Sequence, residues 1–471
     1  MGQEVSHSHF STKEKEQFKT LLKTETKLLK EKMLAGEFSS KAAMGGFEVE
    51  ACLVDKSLQV APVNNKFFEL FDNPLATPEL AKFNIELNNT PLSLHGSCLP
   101  DFEYELRSVF DEAELAANKL DTNILLTGIL PTAKPDDFCL DNMSSMKRYK
   151  ALNEIIVKAR NNKPLVLDID GKDHCHLTKH TVMIEAATTS FQIHLQTPWK
   201  QSHHYYNASI IASAPIMAIA ANSPFLFGKK LWHETRIPLF EQSIDTGSGK
   251  KRVSFGSGYA EISMSECFDE NNNDFEVLLP MIFESKADEF KHLCLHNGVI
   301  WRWNRPLVGF DKDGTPHIRI EHRILPAGPT ISDMMANAAF YYGLTQDIMR
   351  EITDHPKMSF ETAKSNFYQS AKYGLEANIK WNNKDYRAAS LKKLIIEELL
   401  PRAKAGLQQL GISDDSIHHY LNIIEKRTST GQTGAVWQIN HLKTVNGDFQ
   451  QLTSDYLHHL HQSEPVHTWK P

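Results

Sequence analysis

The 471-residue chain has little cysteine and no excess of positive charge. None of its six cysteines is spaced as C-x-x-C, which excludes a zinc ribbon and a thioredoxin-like redox motif, and we expect scattered reduced thiols. Its 51 Lys and Arg and 58 Asp and Glu give a formal net charge of -7, so no nucleic-acid partner is expected. Disorder is not expected either, because 25 Phe, 12 Tyr and 7 Trp supply a large core.

Long hydrophobic runs are also missing. Residues 1–41 are rich in Lys and Glu and lack the apolar segment of a secretory signal, so we expect a cytoplasmic protein. The longest weakly polar stretch, 210–228, contains Pro215 and Pro224. It predicts a buried helix that ends near Ala221 and is followed by a loop, and no membrane span is expected.

The order of the elements predicts an α+β fold. Helical spacing of apolar residues predicts helices over 11–36, 100–120, 144–160 and 331–353, and again after Tyr386. Short alternating segments elsewhere predict strands, and this order favours an antiparallel sheet covered by helices on one face. The acidic and Asn-rich run at 269–273 predicts a surface loop.

Four segments alternate apolar and polar residues, as strands with one polar face do. The polar residues are Glu48 and Glu50 in 46–55, Asn84, Glu86 and Asn88 in 82–88, Gln192, His194 and Gln196 in 189–196, and His317, Arg319, Glu321 and Arg323 in 316–325. Any one such strand is typical of a half-solvated sheet. Two glutamates at alternating positions of one strand repel each other, however, unless a cation or an arginine lies between them.

If these strands pair, their carboxylates and one imidazole form a site for hard divalent cations. The expected metal ligands are Glu48, Glu50, Glu86, His194 and Glu321. Carboxylate oxygens suit Mg²⁺, and one imidazole among them also suits Mn²⁺. We expect Arg319 and Arg323 to face phosphate oxygens, because a planar guanidinium makes bidentate contacts with them.

Seven segments, in this order, resemble the glutamate–cysteine ligase family, in particular its carboxylate–amine ligase branch of the glutamine-synthetase-like fold. They are GFEVE at 46–50, NIELNNTP at 84–91, SFQIHLQ at 190–196, ANSPFLFG at 221–228, FGSGY at 255–259, WRWNRP at 301–306 and IEHRILPAGPT at 320–330. The resemblance runs from about Gly45 to about Tyr342, and GQTGAVWQ at 431–438 is a further similar segment. It implies a curved antiparallel sheet with the five metal-type residues at the metal positions of the family.

The resemblance also implies an activity. Family members use ATP and Mg²⁺ or Mn²⁺ to convert a carboxylate, typically the γ-carboxylate of glutamate, into an acyl phosphate that an amine attacks. Arg323 lies where the family binds ATP phosphates or the acyl phosphate, and Arg236 where an arginine meets substrate charge. Cysteine as the amine would place the chain in glutathione biosynthesis. No residue is recognisable as a cysteine-binding site, so the amine stays open.

A competing motif lies at 164–171, PLVLDIDG. It resembles the first motif of haloacid-dehalogenase-type phosphatases, in which Asp168 would be the nucleophile and Asp170 the acid and base. Lys172 and Asp173 follow instead of a small or apolar pair, so a strand that ends in a turn is favoured. A metal-dependent phosphohydrolase is the alternative function, and a non-catalytic nucleotide-binding protein on the same fold is a third.

The segment TGSGKKR at 246–252 resembles a phosphate-binding loop only in part. The P-loop pattern requires Gly at the position of Ile244 and Ser or Thr at that of Lys251, so the pattern fails. We predict a flexible basic loop in which Lys250 reaches nucleotide phosphates.

These observations predict three parts. A helical extension covers 1–44, a ligase-like α+β catalytic domain covers 45–385, and a helical segment packed on that domain covers 386–471. The expected function is an ATP-dependent ligase that joins a small-molecule carboxylate to a small-molecule amine. The oligomeric state and the choice between Mg²⁺ and Mn²⁺ stay open.

Overall fold

The structure, a computed structural model, describes residues 10–41, 43–247, 249–352, 356–382, 384–386 and 388–470. Its strands are β1 Met44–Asp55, β2 Ala76–Pro78, β3 Asn84–Asn88, β4 Leu92–Ser93, β5 Thr122–Leu125, β6 Leu165–Asp170, β7 His174–Lys179, β8 Ser190–Thr197, β9 Phe225–Leu226, β10 Lys229–Lys230, β11 Val253–Ser254, β12 Trp301–Arg302, β13 Asn304–Phe310, β14 Pro316–Pro326, β15 Ile379–Trp381 and β16 Lys384–Tyr386. Its helices are α1 Thr12–Leu34, α2 Asn64–Leu70, α3 Cys98–Asn118, α4 Lys147–Ala159, α5 Ser202–Ala220, α6 Arg236–Ser243, α7 Ser265–Asp274, α8 Lys291–Gly298, α9 Ile331–Glu351, α10 Phe360–Tyr373, α11 Ala388–Leu394, α12 Leu400–Leu410, α13 Asp414–Thr430, α14 Gly434–Thr444 and α15 Phe449–Gln462.

An eight-stranded antiparallel sheet organises the fold. Its strands follow the order β13–β14–β8–β1–β3–β2, and both β4 and β5 also pair with β1. The four strands that alternate polar and apolar residues, β14, β8, β1 and β3, are therefore neighbours. The predicted α+β fold with a curved antiparallel sheet is confirmed.

The apolar face of the sheet packs against helices. Phe47 of β1 contacts Phe102 of α3, Phe191 of β8 and Tyr342 of α9, with ring centroids 4.8, 5.2 and 6.2 Å apart. Each of these side chains is buried. Burying one large apolar side chain contributes about 1.5–3 kcal/mol, so this layer sets which face of β1 points away from the helices. The glutamates of β1 are left on the opposite face.

The apolar stretch predicted as a buried helix is α5. Its side chains are buried from Tyr205 to Ala220, and Pro215 lies inside the helix. Within the described parts of the chain, no helix is both long and apolar enough to span a bilayer. The acidic run at 269–273 is not the predicted loop, because it lies in α7, where Asn271 is buried and donates to Asn297 at 2.8 Å.

Helices at both ends of the chain contact the centre. Glu25 of α1 is buried and accepts a hydrogen bond from the backbone N–H of Leu293 at 2.8 Å. Arg427 of α13 pairs with Asp333 of α9 at 2.7 Å, and both side chains are buried. Tyr456 of α15 donates to the carbonyl of Leu126 at 2.8 Å. The predicted boundaries near residues 44 and 385 stay predictions.

Candidate active site

The polar face of the sheet brings the predicted residues together through strand register. Glu50 of β1 lies opposite Glu86 of β3, and His194 of β8 lies opposite Glu321 of β14. Glu321 lies in turn opposite Arg305 of β13. Directly opposed residues of antiparallel strands project to the same face. The Glu50–Glu86 pair and the His194–Glu321–Arg305 set therefore form two rows on the polar face, since the β1 residue opposite His194 is Gly46.

Glu48 lies between these two rows on β1, and its side chain converges with those of His194 and Glu321. One donor atom from each lies within 4.8 Å of the others. Nε2 of His194 is 3.3 Å from Glu48 Oε1 and 3.9 Å from Glu321 Oε1. That nitrogen is buried and makes no hydrogen bond with any described residue. Two carboxylates and an imidazole that converge in this way fit Mg²⁺ or Mn²⁺.

The other nitrogen of His194 is occupied. Nε of Arg319 donates a hydrogen bond to Nδ1 of His194 at 3.1 Å. Since this bond uses the Nδ1 lone pair, the ring proton lies on Nε2 and points towards the carboxylates. A cation bound through Nε2 therefore requires Arg319 to leave the ring, which frees its guanidinium for another anion.

Two arginines fix Glu321. Arg305 makes a bidentate contact with its carboxylate, at 2.7 Å from Nε and 2.9 Å from Nη2. Nη1 of Arg323 also donates to Glu321, at 2.9 Å. Burial raises the pKa of Glu321, but the charges of Arg305 and Arg323 outweigh it and hold the pKa below its usual value. Glu321 is therefore ionised at neutral pH.

Glu50 and Glu86 belong to a second group of carboxyls. Glu50 accepts hydrogen bonds from the backbone N–H of Ser190 at 2.7 Å and from Gln192 at 3.0 Å. Glu86 accepts one from Asn88 at 3.0 Å. These neutral donors do not balance the charge, so the group favours either protons or a cation.

Two residues that the sequence did not indicate, Glu79 and Glu185, join this group. Burial, and then the charge of Glu79, raises the pKa of Glu50 to about 7. Burial together with Glu48 and Glu79 raises the pKa of Glu86 well above its usual value. Burial together with Glu50 and Glu79 does the same to the pKa of Glu185. A bound cation would reverse these shifts.

Two cavities meet at Glu48 and Arg319, which line both. The inner cavity, of about 230 Å³, is lined by both groups of carboxyls and by Arg305 and Arg323. The outer cavity, of about 280 Å³, has Glu48 as the one carboxylate among its described lining residues and also contains Arg319, His194 and Phe310. A larger cavity of about 540 Å³ lies between α10 and β15 and contains none of the predicted site residues. The two smaller cavities, which do contain them, are therefore the candidate active site.

Arg236 lies in a buried ion pair beside β14. It is buried, pairs with Glu234 at 3.0 Å, and donates to the backbone carbonyls of Arg323 and Ile324 in β14. It is not among the described residues that line the two cavities. These contacts fix the strand that carries Arg323, and the predicted contact of Arg236 with substrate stays a prediction.

Lys250 also lies outside both cavities. Its ammonium is 3.2 Å from Glu270 and 2.5 Å from Asp274, both on α7. The predicted contact between Lys250 and nucleotide phosphates therefore stays a prediction, and it would require these two ion pairs to break.

Several residues that line the inner cavity were not found from the sequence. They are Glu79, Arg148, Tyr149, Glu185 and Arg305. Arg305 belongs to the WRWNRP segment, two residues after Trp303. Glu79 and Glu185 lie outside the long strands, and Arg148 and Tyr149 start a helix whose spacing indicates no site.

The phosphatase-like motif forms an exposed hairpin. Asp168 lies on β6, which pairs with β7 in a two-stranded antiparallel sheet. The Asp168 side chain is 61% exposed and lies 2.6 Å from His174 Nε2. Asp170 is also exposed. Neither aspartate has the buried surroundings that raise the reactivity of a nucleophile, so the geometry favours the predicted strand and turn.

A family model matches most of the chain. The model of the family described as glutamate-cysteine ligase family 2 matches residues 44–455. The chain belongs to the glutamate–cysteine ligase family. The match extends past Tyr342, where the predicted resemblance ended, and reaches into α15. The protein is therefore a member of a ligase family.

Two solved structures are similar to this chain at low sequence identity. Glutamate–cysteine ligase from Francisella tularensis, in complex with AMP, matches with a TM-score of 0.59 and 13% identity, over 92% of this chain and 91% of that chain. A bifunctional glutathione synthetase from Pasteurella multocida matches with a TM-score of 0.54 and 12% identity, over 93% of this chain and 55% of that chain. These two likenesses show a shared fold. No curated protein sequence matches this chain.

Proposed function

We propose that the protein is an ATP-dependent ligase that forms an amide between a carboxylate and an amine through an acyl phosphate. The observation that carries this proposal is the convergence of Glu48, His194 and Glu321 beside Arg319 and Arg323. ATP and a carboxylate are both anionic, so a ligase must offset their repulsion with cations. Membership of the ligase family supports the same reaction.

Each residue of the site has a separate role in the proposed reaction. Glu48, His194 and Glu321 would hold Mg²⁺ or Mn²⁺, and the ion when bound would neutralise charge on the phosphoryl group. Arg323 stays paired with Glu321 and presents its remaining N–H groups to the transferring phosphoryl oxygens. Arg319 moves from His194 to the nucleotide phosphates. Arg305 keeps Glu321 ionised and in place.

The charges of the two cavities suggest which substrate each one takes. The inner cavity is crowded with carboxyl groups, whereas the described lining of the outer cavity combines Arg319 and His194 with one carboxylate, which suits a polyphosphate better. We therefore assign the nucleoside to the outer cavity and the phosphates to the boundary at Glu48 and Arg319. In-line transfer then places the carboxylate substrate on the inner side. Burial of this side limits hydrolysis of the acyl phosphate.

Glutamate is the carboxylate that we propose to test first, with cysteine and other amines as partners. ADP release from Mg²⁺-ATP should be measured with each carboxylate and each amine singly and in pairs. We expect ADP only with a carboxylate–amine pair, and glutamate with cysteine would place the protein in glutathione biosynthesis. ATP that stays intact with every pair would overturn the proposal.

A variant tests the site itself. We expect Glu48→Gln to lower kcat about 100-fold or more, because it removes one anionic metal ligand at the phosphoryl group. The control is Glu69→Gln, which changes an exposed glutamate of α2 in the same way and should leave kcat unchanged. Full activity of Glu48→Gln would contradict the assignment of the site.

A further inference from the structure

Helix α1 lies outside the residues that the family model matches, which begin at residue 44. It is packed into the molecule against α7 and α8, and Phe18 contacts the ring of His292 edge to face, with centroids 5.4 Å apart. One charged side chain of α1 is buried in this contact, because Glu25 is only 1% exposed. Burying a carboxylate costs stability unless it is hydrogen-bonded, so the partners of Glu25 indicate its role.

Both oxygens of Glu25 are bonded to the start of α8. Oε2 accepts the backbone N–H of Leu293 at 2.8 Å, and Oε1 lies 2.5 Å from Nδ1 of His292. Nε2 of His292 accepts the backbone N–H of Phe283 at 3.1 Å, so the ring proton lies on Nδ1 and is donated to Glu25. A carboxylate at the first turn of a helix satisfies a free N–H group and interacts favourably with the helix dipole. Glu25 of α1 therefore caps α8.

The other end of α8 contacts the candidate active site. Nη1 of Arg305 donates to the carbonyl of Gly298, the last residue of α8, at 3.2 Å. Asn297 donates to the carbonyl of Pro306 in β13 at 2.8 Å. Arg305 also makes the bidentate contact with Glu321. The end of α8 therefore helps to fix the guanidinium that holds Glu321.

A continuous set of buried contacts thus joins α1 to the proposed metal site. It runs from Glu25 through α8 to Arg305 and ends on Glu321. Helix α8 has eight residues, which is about 12 Å of helix. Because protein interiors are close-packed and transmit strain, a shift at the first turn of so short a helix reaches its last carbonyl.

We propose that Glu25 is a positioning residue for the active site, which fixes Arg305 through α8 and thereby holds Glu321 in place as a metal ligand. This inference rests on the proposed function, because it requires Glu321 to bind the metal ion. It gives α1 a role in the reaction, although α1 contributes no residue to the described lining of the two cavities.

Binding of Mn²⁺ to the full chain without substrates, measured by electron paramagnetic resonance, tests the inference. In Glu25→Gln the amide N–H₂ faces one of the two donors that Glu25 binds, so the start of α8 must shift. We expect the Kd for Mn²⁺ to rise about 10-fold, because disturbing a partner of a metal ligand weakens the metal site. The KM for Mg²⁺ in ADP release should rise by a similar factor. A merely structural role would reduce the amount of folded protein and leave the Kd of the folded fraction unchanged.

Two control variants make the comparison specific. Glu31→Gln changes an exposed glutamate of the same helix, which lies 3.6 Å from Lys27, and should keep the wild-type Kd. Glu25→Asp keeps the charge but shortens the side chain by one methylene group, and we expect an intermediate Kd. It decides the question if Glu25→Gln does not fold.

A double-mutant cycle with Arg305→Lys tests the route of the effect. If Glu25 acts through Arg305, adding Glu25→Gln to Arg305→Lys should change the Kd for Mn²⁺ by less than about twofold. Independent effects that multiply in the double variant would refute this route.

A wild-type Kd in Glu25→Gln, or in Glu25→Asp if the first variant does not fold, would overturn the inference and leave the proposed function intact. If the wild type itself binds no Mn²⁺, the proposed metal site fails, and the inference fails with it.

Discussion

Glu321 shows at the residue scale how the site balances its charges. Its side chain is 1% exposed, and it receives hydrogen bonds from both Arg305 and Arg323. A buried ion pair of this kind contributes little net stability as long as it is complete. Removing one partner, however, leaves buried charge without compensation.

We therefore expect Glu321→Gln to lower the free energy of unfolding by about 3–5 kcal/mol, since Arg305 and Arg323 lose their counter-charge. Urea denaturation of the metal-free protein measures this change. Glu69→Gln, on the surface, should change stability by less than about 0.5 kcal/mol. Equal stability of the two variants would show that the arginines have another buried partner.

Glu50 and Glu86 give the metal-free protein a pH dependence. Burial and Glu79 raise the pKa of Glu50 to about 7, and burial with Glu48 and Glu79 raises the pKa of Glu86. Carboxyls with a higher pKa in the folded state bind protons more tightly there. Their stabilising contribution is complete below the unfolded pKa, near 4.5, and is lost as the pH rises through the folded pKa.

In the absence of metal, we expect the contribution of Glu50 to the free energy of unfolding to fall by up to about 3 kcal/mol as the pH rises from about 4.5 to about 7. Mg²⁺ should restore stability most at the upper end of this range. Urea denaturation in a chelator, repeated across pH, measures the slope, and Glu50→Gln should flatten it. An unchanged slope in the Glu50→Gln variant would contradict the raised pKa of Glu50.

At the element scale, close backbone approach fixes α14 against the centre of the molecule. A Cβ atom added to Gly434 would lie 2.1 Å from Asn222 Oδ1 and 2.8 Å from a carbon of Pro329. Asn222 is buried and accepts a hydrogen bond from Gln438 at 2.9 Å. Glycine at this position thus lets α14 approach residues 222–225 closely enough for the hydrogen bond between Gln438 and Asn222.

We expect Gly434→Ala to destabilise the protein by about 2 kcal/mol, although alanine favours a helix by about 1 kcal/mol over glycine. Thermal and urea unfolding measure the effect. Gly258→Ala is the matched control, because a Cβ at Gly258 meets no atom within 4 Å. Similar stability of the two variants would mean that Asn222 moves freely.

Helix and strand positions follow closely from local pattern. The helix predicted over 331–353 is Ile331–Glu351, and Thr330 caps it by accepting from the N–H of Asp333 at 3.1 Å. The prediction failed at 269–273, where acidic and Asn side chains favour loops locally. There, buried contacts of Asn271 with Asn297 and Arg302 stabilise the helix instead.

The site was predictable only where its residues lie on long strands. Alternation placed Glu48, Glu50, Glu86, His194 and Glu321 on one face, and the structure brings all five to the same side of the sheet. Which of them converge depends on register, which the sequence does not specify. Other cavity residues come from irregular segments and from the start of α4. Tertiary packing alone brings them to the cavity, so their spacing in the sequence does not indicate a site.

At the scale of the whole molecule, the sheet joins distant parts of the chain. β1 pairs with β8, and β8 pairs with β14, so Glu48, His194 and Glu321 come from three successive thirds of the sequence. Contacts between such distant segments form slowly, because loop closure precedes them. During synthesis, β8 emerges with one edge unpaired until β14 leaves the ribosome. The nascent chain therefore carries an open β-edge that can pair with other chains, and the three residues of the proposed metal site come together only after most of its length has been translated.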